Sequence, residues 1–192
     1  SLFSLEEYVT EIRFSKGCTL IGKTADEVNS VTGDKLTLIR YIDDSGKVKS
    51  LNPNHKIKED DQFLTMADPS DLKEMMDEYH LRLTQEMRYR IDSLKDEDTT
   101  FIEIVVSPES PLVGRGRSYL RRRSSNQLVL IAVARQGKPI HKRLGKVQFA
   151  VGDVLLLQGS EEELKNNVKA LDLLPLAERE IEVGVFTKVS YS

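Results

Sequence analysis

Apolar and polar residues alternate over Glu11–Phe14 and again over Phe101–Val106, the period of a strand buried on one face. A Leu-x-Gly turn follows each run, at Leu20–Gly22 and at Leu112–Gly114. Thr24 and Glu27 stand at capping-box spacing, which predicts a short helix with Thr24 as its N-cap. Two richer apolar runs, Lys35–Ile42 and Gln127–Ala134, predict strands that end at glycine-containing turns. Strands at Gln62–Met66 and Val154–Gln158 close each sheet. A helix is then predicted from Asp68-Pro69, with proline at its first position, and another from Ser160-Glu161-Glu162-Glu163-Leu164. Leu72, Met75, Met76 and Tyr79 recur at helical spacing in the first, and Leu164, Val168 and Leu171 in the second. Those are core-facing stripes rather than ligand sets. Gln85–Thr99 is polar and charge-dense, and reads as a continuation of the first of these helices that fades into a linker at Asp96–Asp98.

The same order of elements occurs twice because the sequence repeats itself. At an offset of 92 residues Glu11-Ile12 meets Glu103-Ile104, Ser15 meets Ser107, and Leu36-x-Leu38-Ile39 meets Leu128-x-Leu130-Ile131. At the same offset Asp61-x-x-Leu64 meets Asp153-x-x-Leu156, and Leu72-Lys73 meets Leu164-Lys165. Only Gly46-Lys47 and Gly137-Lys138 are one residue out of step, in a turn, where insertions are tolerated. Two copies make a duplication; a solenoid needs three or more units. The expected fold class is therefore α+β, as two tandem copies of a small two-layer α/β module, with Leu38 and Leu130 in equivalent strands. A module of about 75 residues buries a modest fraction of its surface, so packing the two together, or dimerising, would hide apolar faces.

Composition changes this picture little, and charge changes it more. With 39% hydrophobic and 31% charged residues the chain reads as an ordinary globular protein. No run of eighteen apolar residues predicts a membrane span, and no leader pattern opens the chain. The single Cys18 excludes an internal disulfide and fits a reducing compartment. The net charge of −3 hides an asymmetry: residues 1–84 hold 16 acidic and 11 basic side chains, and residues 100–192 hold 10 acidic and 14 basic. From Ser110 to Gly152 there are ten Lys or Arg and no Asp or Glu, enough to build a local positive field.

The landmarks resemble the TrkA-C domain, the C-terminal half of the RCK module that regulates potassium channels and transporters. Ser110-Pro-Leu-Val-Gly114, Arg143-Leu-Gly-Lys-Val147 and Val151-Gly-Asp-Val-Leu-Leu-Leu-Gln-Gly159 follow the family's order in the second copy. The first copy keeps Leu20-Ile-Gly22 and Glu59-Asp-Asp-Gln-Phe-Leu64. Leu173-Leu-Pro-Leu-Ala-Glu-Arg-Glu180 resembles the exit segment of the tandem TrkA-C pairs inserted in divalent-anion:sodium symporters. The resemblance implies TrkA-C-like domains at 8–84 and 100–174, a helical, charged linker at 85–99, and a tail at 175–192 that leads toward a membrane segment. It further implies a regulatory pair at the cytoplasmic face of the membrane, with the membrane domain of the same transporter polypeptide as a partner and a homodimer as the assembly. The alternative is a purely structural dimerisation module without ligand.

Candidate chemistry is concentrated in Arg115, Arg117, Arg121, Arg122 and Arg123. Guanidinium groups grip phosphate or carboxylate through paired hydrogen bonds, and on a helix Arg117, Arg121 and Arg122 are expected near one face. They are the candidate site for a nucleotide or another small anion; the other reading is a solvated basic helix or one paired with acidic groups of the first module. Gly114-Arg-Gly116 begins like a dinucleotide loop but lacks the third glycine and a ribose-binding acid, so no dinucleotide cofactor is expected. Nucleic acid is not expected as a partner, since only Tyr119 interleaves with the arginines. His55, His80 and His141 lack metal-ligand spacing, Cys18 reads as a turn residue, and Asp153 as a turn-forming side chain. No catalytic residue and no metal site is expected, and the chain is not read as an enzyme.

Overall fold

The structure, a computed structural model, describes residues 2–84, 99–140 and 144–180. The chain divides into two compact units, Leu5–Tyr89 and Ser1–Ser4 with Arg90–Ser192. The first contains β1 (Val9–Arg13), α1 (Ala25–Val31), β2 (Thr37–Ile42), β3 (Val48–Ser50), β4 (Gln62–Met66), α2 (Pro69–Tyr79) and β5 (Arg82–Leu83). The second contains β6 (Thr100–Val106), α3 (Arg117–Arg123), β7 (Val129–Arg135), β8 (Lys138–Pro139), β9 (Val154–Gly159), α4 (Glu161–Ala170) and β10 (Leu173–Glu180). Each unit is an antiparallel five-stranded sheet, in the order β3-β2-β4-β1-β5 in one and β8-β7-β9-β6-β10 in the other. This is an α+β fold in two modules.

The correspondence extends to register. Glu11 pairs with Leu64 and Glu103 with Leu156; Ile12 pairs with Leu83 and Ile104 with Pro175. Leu38 in β2 and Leu130 in β7 sit at matching rungs, opposite Thr65 and Leu157, and each strand is bulged one residue later. The one-residue slip at the glycine turns has a geometric cause. β7 and β8 are joined by the two-residue turn Gln136-Gly137, both at positive φ, the backbone twist that tight hairpins prefer. β2 and β3 are joined by the five residues between Ile42 and Val48.

Local signals set the helix starts. Thr24 accepts a hydrogen bond from the Glu27 amide at 3.1 Å. Ser160 and Glu163 form the complete reciprocal box, at 3.1 and 3.0 Å. Asp68 caps α2 with Pro69 at its first position. Met75 and Leu164 are buried in their respective cores, with Leu72, Met76 and Tyr79, or Val168, packed at the margin. Phe14 and Phe63 meet edge-on at 5.5 Å in the first core, and Phe149 is fully buried in the second.

Two expectations need correction. The helix after Pro69 does not run on toward Gln85: it ends at Tyr79, His80 turns left-handed, and Arg82–Leu83 pairs with β1. Burying Leu81 and closing the ladder on β1 outweigh the helix-forming composition of the segment. At the other end, the expected boundary at 174 falls inside β10, which pairs with β6 as far as Glu180. The linker from 85 to 98 and the tail beyond 180 lie outside the described residues, as do His141 and Arg143.

Candidate functional site

The five arginines of the basic segment do not form one cluster. Successive helical residues are rotated by about 100°, so Arg117 and Arg121 share a face of α3, while Arg122 lies about 140° from Arg117. Arg117 points inward and is 3% exposed; the turn Leu144–Lys146 passes beside it, and its guanidinium lies 3.7 Å from where a β-carbon on Gly145 would stand. Arg121 is half-buried, and Arg122 and Arg123 are exposed. Arg115 is exposed and stacks its guanidinium on the Tyr119 ring at 4.6 Å. The expected shared face of Arg117, Arg121 and Arg122 is therefore not formed, because a helix that buries Arg117, Leu120 and Ser124 must turn Arg122 to solvent. Three arginines in the last turn of α3 also complement the negative end of the helix dipole.

Two amides of the loop before α3 are tied into the fold. Gly114 donates its N–H to Phe149 O at 2.7 Å, Arg115 donates to Leu112 O at 2.9 Å, and Phe149 donates to Arg115 O at 2.7 Å. Those two loop amides are committed to the fold. What remains accessible is a cationic surface of Arg115, Arg122 and Arg123, with Lys146 also exposed.

A second feature was legible only in part. Asp61 and Asp153, matched by the repeat, each accept from the backbone amide three residues earlier, Lys58 and Ala150, at 2.8 Å. This is the turn-forming role expected of them. Each carboxylate also holds a cationic or titratable side chain that sequence reading missed. In the first module His55 Nε2 lies 2.8 Å from Asp61 and the imidazole packs against Tyr41 and Phe63. In the second, Arg135 donates from Nε and a terminal nitrogen to the two Asp153 oxygens at 2.9 and 2.8 Å, and also to Gln148 O. That fork raises the Arg135 pKa above its ordinary value. The signal available beforehand was the recurrence of the aspartate at the 92-residue offset.

Cys18 is buried in the first core at a turn closed by its own N–H to Ser15 O. Burial pushes its thiol pKa up, and no histidine hydrogen-bonds it among the described residues. Also among the described residues, no group of three or more His, Cys, Asp or Glu is placed to hold a metal ion, and no helix is long and apolar enough to cross a membrane.

No protein-family model matches the chain. A curated relative, "Uncharacterized transporter sll0640" of Synechocystis sp. (strain ATCC 27184 / PCC 6803 / Kazusa), is 24% identical over 186 residues. The match takes in 94% of this chain and 30% of the relative, so the chain spans less than a third of that protein. Among solved structures, the crystal structure of the GsuK RCK domain aligns with a TM-score of 0.34 and 11% identity, over 88% of this chain and 65% of that one.

Proposed function

We propose that this chain is a cytosolic regulatory segment of a membrane transporter, built from two TrkA-C-like modules, 8–84 and 100 to the end of β10 at Glu180. The observation that carries the reading is the proportion of the sequence match. Nearly all of this chain aligns, yet it fills under a third of a relative named as a transporter, which is the relation of an accessory segment to a larger protein. The motif resemblance to the paired modules of sodium:divalent-anion symporters supports the same assignment. On this reading the membrane domain is part of the same polypeptide and two copies associate as a homodimer.

The ligand is a nucleotide or another small anion held by the exposed arginines. Arg115 stacked on Tyr119 offers a planar cation beside an aromatic ring, and Arg122 and Arg123 add charge in the next turns, with Arg121 half-buried between them. A ligand regulates only by binding one arrangement of the protein better than another. Thermal shift against a panel of nucleotides and dicarboxylates tests this. A true ligand at a hundred times its Kd stabilises the folded chain by about 2.7 kcal/mol, and the gain should shrink with added salt and in the Arg121→Ala/Arg122→Ala variant. No stabilisation by any anion, together with a dimer in light scattering, would favour the structural dimerisation module. A monomer of 21.8 kDa with no anion response would remove both readings.

A further inference from the structure

Between the end of β1 and the loop that follows α2, the first module opens a pocket of 550 Å³. Its rim consists of two turns pinned together. Gly17 at φ +93° curls the chain after Ser15 and Lys16, and His80 at φ +56° ends α2. The Ser15 hydroxyl donates to His80 O at 3.3 Å. Ser15, Lys16, His80 and Arg82 line the pocket, with Met76 and Leu81 as its apolar part, and no carboxylate is among the lining residues. Lys16 and Arg82 are exposed, and among the described residues neither forms an ion pair.

The fold does not demand this charge. The second module matches it at the helix end: Asp172 takes the left-handed conformation of His80, and Ser107 donates to Asp172 O as Ser15 does to His80 O, whereas Glu109, opposite Gly17, does not share its positive φ. At the 92-residue offset, however, Lys16, Gly17, His80 and Arg82 are replaced by Pro108, Glu109, Asp172 and Leu174. Matched positions thus carry two fixed cations and an imidazole in one module, and two carboxylates in the other. A concave site with a guanidinium and an ammonium, and no carboxylate in its lining, matches a tetrahedral oxyanion.

We infer that this pocket binds a phosphate-type dianion through Lys16 and Arg82, with the His80 imidazole at its rim. The inference rests on the first module alone and is independent of the transporter reading and of the arginines of α3. The test is an amide NMR titration of the whole chain with inorganic phosphate, run beside co-sedimentation with phosphatidylcholine vesicles containing phosphatidic acid. Saturable shifts at Lys16, Gly17 and Arg82 are expected. The Lys16→Ala/Arg82→Ala variant should lose about tenfold or more in affinity, since charge-assisted bonds to two cations are removed. Both residues are exposed, so its unfolding midpoint should not change. Arg122→Ala/Arg123→Ala should bind phosphate as the parent does. A response to soluble phosphate alone assigns a free dianion, and vesicle binding lost in the Lys16→Ala/Arg82→Ala variant assigns a lipid headgroup. The inference is overturned if these amides shift with neither probe, or if the double variant binds as tightly as the parent.

Discussion

The two modules solve one structural problem with different chemistry. At the entry to the fourth strand of each sheet an aspartate ties down its own turn, by accepting from Lys58 N in one module and Ala150 N in the other. The spare acceptor capacity of Asp61 goes to an imidazole packed against Tyr41 and Phe63. That of Asp153 goes to the planar fork of Arg135. Backbone geometry is common to the pair, whereas the partner is free to vary because it arrives from a different place: a loop before β4 for His55, and the end of β7 for Arg135. The lesson is that matched positions hold the frame, and the side chains reaching toward them give each module its own electrostatics. The same division is seen at the pocket rim, where Lys16 and Arg82 face Pro108 and Leu174 across the offset.

The largest expected effects test the common frame. Leu38 and Leu130 are 3% and 1% exposed, and truncating a buried leucine costs about 2–5 kcal/mol. Leu38→Ala and Leu130→Ala should therefore each lower stability in urea by an amount in that range. A loss below about 1 kcal/mol for either would mean that the matching rungs do not carry matching cores. Next come the aspartates. Asp153→Ala strands a guanidinium and an amide, and should cost about 2–3 kcal/mol, the range for hydrogen bonds to a charged group, and no more because Arg135 is itself partly solvated. Arg135→Lys keeps the charge but not the fork, and should recover only part of the difference. Full recovery by lysine would show that charge, rather than bidentate geometry, holds the turn.

The sheets were readable in advance because their cores repeat at a fixed interval. Once Ile12, Leu38 and Leu64 were aligned with Ile104, Leu130 and Leu156, pattern in one copy corroborated the other. Helix starts were readable because caps are local chemistry, as at Thr24, Asp68 and Ser160. The end of α2 was not, since the pairing of Arg82–Leu83 with β1 joins residues about seventy positions apart, and no local pattern encodes it. The basic segment was legible as charge but not as geometry. Counting arginines could not reveal that Leu120 and Ser124 would rotate Arg117 into the interior.

A smaller contrast lies at position 18 and its counterpart 110, both 5% exposed. The Ser110 hydroxyl donates to Leu171 O at 2.7 Å and accepts from Leu112 N at 3.2 Å, anchoring the end of α4. Ser110→Ala removes both bonds and should cost about 1–2 kcal/mol. Cys18→Ser places the same hydroxyl in the equivalent turn and should be tolerated better, within about 1 kcal/mol of the parent. The native Cys18 thiol, buried and with its pKa raised, should react with a disulfide reagent far more slowly in buffer than in urea. Equal rates would place Cys18 outside the core. If Cys18→Ser cost more than Ser110→Ala, the two turns would not be equivalent.

The smallest expected effect separates the two hairpins that fall out of step in the repeat. In the longer turn of the first module, Asp43 accepts from the Ser45 hydroxyl at 2.7 Å, from the Lys47 amide at 2.9 Å and from the Ser45 amide at 3.0 Å, with Lys49 at 3.1 Å. The Ser45 hydroxyl bond, followed by the Lys47 amide, holds the Asp43 carboxyl well below the usual carboxylate range. A carboxyl depressed in the folded state stabilises fully above its unfolded value, near pH 3.9, and that contribution is lost as pH falls through the folded value. The second module closes its hairpin with Gln136-Gly137 and has no carboxylate there, so this acid sensitivity belongs to the first module alone. Carbon NMR of the Asp43 carboxyl should show a midpoint below the ordinary aspartate value, and Ser45→Ala should move it upward. Asp43→Asn should flatten the dependence of first-module stability on pH below about 4. A midpoint at the ordinary value in the parent would mean that the hydrogen bonds of this turn do not persist in solution, and the hairpins would then differ in length only.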